Sequence, residues 1–331
     1  MKRGAIGIDI GGTKTLCLLV DENYRVLEET KFKTEATEGE RSFCRKLRGS
    51  VRKLQELATK EKIVLAGVGI ACAGQVDCDK LQIRSSPNLL RLEGCEIGSE
   101  LESELRVKVH LRNDVQMGIY GEFKLGAARG TTNALGIFFG TGVGSGAIIN
   151  GQLHQGASGL GGQIGGLLAQ PVGGPEAALS HGIVDRIASK AAIAGEALVM
   201  AVKEWAPYLH GKVGSDLSKV TWGALKRSVE HGDKQVEQML RARMRVVGIA
   251  TSNVVNFLNP ELVLLGGGLV HAFPKLARKE FEAGLRQHLI PEVGEVLKVK
   301  TAELGKSAAA LGASCVALGE RPEMVGMREA A

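Results

Sequence analysis

Three glycine-rich passages and one Asn-Asp pair hold the residues best suited to chemistry. The first passage is GIDIGGTKT, Gly7–Thr15. Asp9 ends an apolar run, where a carboxylate cannot be buried without compensation. Gly11 and Gly12 let backbone N–H groups approach a polyanion, and Thr13 and Lys14 add donors. A carboxylate beside a phosphate cradle is what Mg²⁺ requires, usually through water. A hairpin turn with an acidic strand end has the same letters, so this passage alone decides nothing. The second passage, GTGVGSG at Gly140–Gly146, changes the balance, because Gly140, Thr141, Gly142 and Gly144 repeat the same grammar. Two such turns can clamp one nucleotide polyphosphate. A third cluster, Gly266-Gly267-Gly268, follows the apolar ELVLL. It offers a nucleoside a surface free of side chains, although a tight strand-to-helix turn would be spelled the same way.

Asp114 lies in LRNDV, after a strand pattern and before a helical one, with Asn113 beside it. A carboxylate there can take a hydroxyl proton as that oxygen attacks a phosphoryl group. Asp is also a favoured helix N-cap, and spacing leaves both readings open. Two standard signatures fail. GTGVGSG spaces its glycines every second residue, unlike the dinucleotide fingerprint. Gly305-Lys306-Ser307 has Lys300 where a P-loop needs its first glycine.

The elements that must position these residues show a repeated plan. Ala5–Ile10, a Gly/Thr turn, Thr15–Val20, the turn Asp21–Arg25 and a third strand form one meander. Ala134–Phe139, Gly140-Thr141-Gly142, Gly144–Ile149 and Asn150-Gly151 form a second. Helical material follows each, over Arg41–Lys60 and between Gly182 and Ala201, which reads as an internal duplication. Further strands are predicted at Val64–Ala71, Val107–Leu111, Leu262–Leu265 and Val296–Lys300. Helices are predicted at Val115–Ala127, Gln235–Leu258 and Lys306–Leu318, and Glu204–Ser218 reads as a loop or insertion. The mixture is an α/β architecture in two lobes.

Composition bounds the rest. The 331 residues suit two domains, and 44% apolar with 24% charged residues is the balance of a soluble globular protein. No run is apolar enough to span a bilayer and no cleavable leader is evident, so a cytoplasmic protein without membrane partners is expected. The six cysteines, Cys17, Cys44, Cys72, Cys78, Cys95 and Cys315, form no C-x-x-C pair and read as reduced thiols. The net charge of +6 is spread out. Its main concentration, Arg41–Lys60, sets Phe43, Leu47, Val51, Leu54 and Leu57 on one helical face and charges on the other. That is a solvated helix rather than a nucleic-acid surface. The basic stretch Arg241–Arg245 reads the same way.

On these motifs the chain resembles the ROK family of sugar kinases and related repressors, within the actin/hexokinase/Hsp70 superfamily. The resemblance spans nearly the whole sequence. GIDIGGTKT looks like the first phosphate motif, SPNL at Ser86–Leu89 like the sugar loop, and Asn113-Asp114 like the catalytic pair. GTGVGSG looks like the second phosphate motif, and NFLNPELVLLGGGL like the adenosine motif. It implies a two-lobed actin/hexokinase-like (ribonuclease H-like) α/β fold, with nucleotide and sugar bound in the interlobe cleft. Residues 1–116 with 305–331 would form the smaller lobe and 117–304 the larger. It further implies a kinase using ATP and Mg²⁺, glucokinase-like by family default, and a homodimer or homotetramer. Asp114 becomes the base, Asn88, Asn113 and Gly74 line the sugar, and Asp9 lies near the Mg²⁺.

The departures fall in one loop. The family's G-E-x-G-H and following cysteine cluster align with GQIGGLLAQPVGGPEAALSHGIVD. Gln163 replaces a glutamate that grips sugar hydroxyls, and Asp185 replaces a second. Gly166, Glu176, Ala178 and Ile183 stand at the four zinc-ligand positions, and His181 alone cannot complete a tetrahedral site, so the protein is expected to hold no zinc. The identity of the sugar is open for the same reason. Two other readings compete with the kinase. A repressor would carry a helix-turn-helix ahead of the first phosphate motif, whereas eight residues precede Asp9. A non-catalytic sugar- or nucleotide-binding protein would not be expected to keep Asp114 and both cradles.

Overall fold

The structure is a computed structural model that describes residues 2–169 and 182–319. The first meander becomes β1 (Lys2–Ile10), β2 (Lys14–Asp21) and β3 (Val26–Lys33), followed by α1 (Glu40–Lys60) and β4 (Ile63–Cys72). A two-stranded ribbon, β5 (Gln75–Asp77) with β6 (Gln82–Ser85), leads into α2 (Ile97–Leu105), β7 (Val109–Asn113) and α3 (Asp114–Leu125). The second meander becomes β8 (Ala134–Phe139), β9 (Val143–Ile149) and β10 (Gln152–Leu153). Helices α4 (Val184–Ala188), α5 (Lys190–Val202), α6 (Pro207–Val213), α7 (Trp222–Glu230) and α8 (Lys234–Leu258) precede β11 (Leu262–Gly267). The described chain closes with α9 (Gly268–Ala272), α10 (Pro274–Arg286), α11 (Pro291–Val296), β12 (Lys298–Thr301) and α12 (Ala308–Leu318).

The duplication read from the letters is a duplication of topology. One five-stranded sheet runs β3-β2-β1-β4-β7 and the other β10-β9-β8-β11-β12. In each, the meander pairs antiparallel and two further strands join parallel to its first strand. The chain separates into two compact units. One comprises residues up to Arg129, Gln155–Leu160 and the chain from Lys306; the other is Gly130–His154 with Gly161–Gly305. The boundary expected at 116/117 falls inside α3, which packs against α12 in the first unit.

In the first unit, α1 buries Phe43, Leu47, Val51 and Leu54 and turns its charges outward, as its periodicity required. On β1 and β4 glycines admit α12 at backbone distance. A Cβ on Gly7 would stand 2.1 Å from the Ala310 carbonyl oxygen, and one on Gly69 would stand 1.9 Å from that of Ala313. Gly7 and Gly69 therefore serve helix-to-sheet contact. The second unit uses the same device where α8 crosses α10. There a Cβ on Gly248 would lie 2.1 Å from the Phe281 oxygen.

Two local readings need correction. Glu204–Ser218 is not simply a loop, because Pro207 starts α6 at the position where its missing N–H costs nothing. Arg241–Arg245, a solvated helix face by its letters, lies in the middle of α8. Its arginines pair with Glu237, Glu280 and Glu196 instead of standing free.

Candidate active site

In the first unit the parallel strands β1, β4 and β7 end together. Ile10 pairs with Cys72, and Cys72 with Asn113. Asp9 therefore sits at the carboxyl edge of β1, and Asp114 follows directly from the same edge of β7. Each is largely enclosed by protein. Burial first, and then the negative charge of Asp114, push the Asp9 carboxyl up to about 7. Burial also raises Asp114, opposed by hydrogen bonds from the Val115 N–H at 2.9 Å and from Asn113 Nδ2 at 3.1 Å. Two carboxylates that disfavour each other's charge in a partly dry site form a place that a divalent cation would relieve. The donor set thus fits Mg²⁺, held through Asp9.

Capping separates the roles of the two neighbours. Asn113, not Asp114, is the N-cap of α3, its Oδ1 accepting the N–H groups of Val115 (3.0 Å) and Gln116 (3.1 Å). Its Nδ2 donates to the Gly74 carbonyl at 2.9 Å. The Asn113 carboxamide is thus engaged by protein on both sides, and it orients Asp114 and pins Gly74. Gly74 has φ +104°, and a Cβ there would strike the Ser85 carbonyl at 2.4 Å. The first glycine turn closes through Gly11 N–H to the Lys14 carbonyl at 3.1 Å. Gly12 rests on the Ser86–Leu89 loop, where its missing Cβ would lie 2.8 Å from Asn88 Cβ. Gly12, Thr13, Lys14 and Asn88 are exposed. Asp9, Gly11, Gly12, Gly74, Asn88, Asn113 and Asp114 are therefore gathered at one end of one sheet.

In the second unit the second turn closes through Gly140 N–H to the Gly142 carbonyl at 2.8 Å. Asp185, expected at the sugar, is held here by this turn. Its Oδ1 accepts the Val143 N–H at 2.7 Å and would lie 2.8 Å from a Cβ on Gly142. The Gly140 carbonyl in turn accepts the Lys190 N–H at 3.0 Å, fixing the turn to the start of α5. Gly144 stands in β9 opposite Phe138. Gln163 is exposed on a loop fixed by Ser145, whose hydroxyl donates to Gly162 O at 2.6 Å and accepts the Ile164 N–H. Gly166 and Ile183 lie within the described residues, whereas Glu176, Ala178 and His181 lie outside them. The third glycine cluster is less bare than its letters suggest. Phe138 abuts Gly266, the Phe139 backbone abuts Gly267, and the Trp222 indole would meet a Cβ on Gly268 at 2.5 Å.

Trp222 was not singled out from the sequence, and Ser86 only as the first letter of the SPNL motif. Trp222, one of two tryptophans, borders Gly268 from the first turn of α7. Only its rarity could have flagged it, since the contact crosses a long stretch of chain. Ser86 is fully buried in the Ser86–Leu89 loop, its backbone N–H donating to Glu93 at 2.8 Å while its Oγ finds no partner among the described residues. An unpaired buried hydroxyl is a cost that a bound polar group would remove.

Comparison with known proteins finds relatives over almost the full length. The ROK family profile matches residues 5–320. The glucokinase of Thermotoga maritima is 27% identical, with 94% of this chain and 96% of that protein aligned. The kanosamine kinase of Amycolatopsis mediterranei is 26% identical over 96% and 98% of the two chains. Among solved structures, the ROK family glucokinase from Streptomyces griseus in complex with glucose and AMPPNP superposes with a TM-score of 0.75. It shares 26% identity and covers 94% of this chain and 98% of its own. Duplicated sheets, glycine turns and an Asn-Asp pair at a strand's carboxyl end are thus found in one chain that matches a single family from end to end: the protein belongs to the ROK family and has its actin/hexokinase-like fold.

Proposed function

We propose that the protein transfers the γ-phosphoryl group of ATP to a hydroxyl of a hexose or hexose-like substrate. The observation that carries this reading is Asp114. It sits at the carboxyl end of β7, oriented by the Asn113 cap and raised by burial towards the range of a working base. Asp114 would take the hydroxyl proton as the oxygen attacks, while the glycine turns hold the phosphates and Asp9 supports Mg²⁺, which offsets charge on the transferring group. The nucleotide part draws support from the AMPPNP complex of the Streptomyces griseus glucokinase, and the sugar part from the glucokinase and kanosamine kinase relatives. A non-catalytic sugar- or nucleotide-binding member of the family is the alternative, and turnover separates the two.

Substrate choice follows from the altered loop. Where the family has an ionised glutamate, Gln163 both donates and accepts. A hydrogen bond to a charged group contributes roughly 1.5–3 kcal/mol, against about 1 for a neutral one. The hydroxyl concerned is held less tightly, or is replaced in the true substrate by a group that wants a donor, such as an acetamido carbonyl. Gly166 leaves room where an imidazole would stand. Weak use of glucose and better use of a modified hexose or cyclitol is the expected outcome of a coupled ATPase screen across hexoses, amino and acetamido sugars and cyclitols. Glucose emerging as the best substrate would refute the specificity argument but not the kinase. Asp114→Asn keeps the size and most of the local hydrogen bonds but cannot accept the proton, so turnover should fall ~10²–10⁴-fold at unchanged ATP affinity. Near-normal turnover in that variant would reduce Asp114 to a structural residue of the helix start.

A further inference from the structure

Among the described residues, one cluster of soft and acidic ligands lies apart from the groups already discussed. Cys44 is in the first turns of α1, and Cys95 is in the segment between the sugar loop and α2. Their sulfurs are 3.8 Å apart, and both residues are buried, at 4% and 1% exposure. Glu40, one helical turn before Cys44 and exposed, brings a carboxylate oxygen to the same point. The three ligand atoms all lie within 4.8 Å of one another.

We propose that Glu40, Cys44 and Cys95 form a binding site for Zn²⁺, with water as the fourth ligand on the open Glu40 side. Tetrahedral zinc with Zn–S bonds of about 2.3 Å places its two sulfurs about 3.8 Å apart, the separation found here. Thiolate ligands select zinc over the harder divalent cations. A disulfide would need the sulfurs to close to about 2.05 Å, and it would give the converging carboxylate no role. Glu40 marks the entry path to two otherwise enclosed thiols. This site revises the expectation of a zinc-free protein, which rested only on the family's zinc loop, whose ligand positions here hold Gly166, Glu176, Ala178 and Ile183.

The site also has a mechanical consequence. Cys95 closes the base of the sugar loop, its N–H donating to Leu92 O at 3.1 Å and its carbonyl accepting the Ile83 N–H at 3.2 Å. Between Ile83 and Cys95 runs the segment that carries Asn88. A metal bridging Cys95 to α1 would fasten that base to a long, well-packed helix, reinforcing the bond from Arg91 Nη1 to Thr37 O at 2.7 Å.

The test is metal binding by the full-length protein, which is independent of catalysis. Protein stripped with a chelator is titrated with Co²⁺ and then Zn²⁺. The expected result is a stoichiometric cobalt complex with thiolate-to-metal charge-transfer absorption, which Zn²⁺ displaces and which Cys44→Ser and Cys95→Ser each abolish. Glu40 is exposed, so Glu40→Gln should fold normally and bind cobalt roughly tenfold or more weakly, a loss that even outer-shell changes can produce. Three results would overturn the site: no charge-transfer band, a metal equivalent that survives loss of both cysteines, or a disulfide formed by a mild oxidant in protein that takes up no cobalt. Should the buried serines prevent folding, unchanged cobalt affinity in Glu40→Gln overturns it on its own.

Discussion

Asp9 and Asp114 show how far a residue's role can be read from its neighbours in sequence. The letters left Asp114 as either base or helix cap, and the structure gives the cap to Asn113 and leaves Asp114 one residue inside the helix. No sequence rule separates adjacent Asn and Asp at a helix start, because both residues cap well. Asp9 was legible as a strand-end carboxylate. Its coupling to Asp114 was not, since it depends on β4 lying between the two strands. That coupling has a measurable sign. A carboxyl raised from 3.8 to about 7 contributes stability that is fully present below the unfolded value and is lost as pH rises through about 7. Asp9→Asn removes this loss. In ligand-free, Mg²⁺-free protein, the melting temperature of the variant relative to wild type should increase between pH 5 and pH 8. An equal offset at both pH values would show that Asp9 ionises freely in the apo protein.

At the scale of elements, the longer strands and several long helices were legible because periodicity and apolar runs are local signals, whereas the short β5, β6 and β10 were not seen. Among the described helices, α2, α6, α7, α9, α10 and α11 were missed or only partly seen, being short or bordered by Gly and Pro. Glycine misled in a more instructive way. Clusters beside apolar runs were read as backbone approaching a ligand, yet Gly7, Gly69 and Gly312 approach other backbone of the same unit. A Cβ on Gly312 would stand 1.8 Å from the Met117 oxygen. Single-sequence reading cannot tell a helix from a nucleotide as the object approached. Gly69→Ala and Gly312→Ala should each cost about 3 kcal/mol, because the contact is backbone and cannot rotate away. Gly49→Ala is the counterexample: an exposed position inside α1 with nothing within 4 Å of the added methyl. It should stabilise by about 0.5–1 kcal/mol. Denaturant midpoints of the three variants check the argument, and similar losses at Gly69 and Gly49 would defeat it. At the second glycine turn a Gly142→Val side chain would displace the Asp185 carboxylate, and the proposed phosphate role predicts weaker ATP binding, readable by calorimetry on folded protein.

For the molecule as a whole, the duplication seen in the letters fixes how stability is partitioned. Each sheet carries its own core. One is built on Ile6, Ile8, Ile70, Phe43 and Leu47, the other on Ile137, Phe139, Leu240, Val263 and Phe281. The two sets share no member. Units with separate cores are expected to unfold as separate cooperative blocks unless a ligand couples them. The chain does not divide at one point, since α12 returns to the first unit and packs on β1 and β4. Removing residues 308–319 should therefore unfold the first unit rather than trim a tail. The second unit should persist, because every strand of its sheet lies between residues 134 and 301. Scanning calorimetry of the intact, ligand-free protein should give a calorimetric enthalpy above the van't Hoff value, by up to about twofold for two blocks of similar size. The shortened chain should keep only the transition of the second unit. A single transition with matching enthalpies in the intact protein would mean that the two cores unfold together, and the partition argued here would fall.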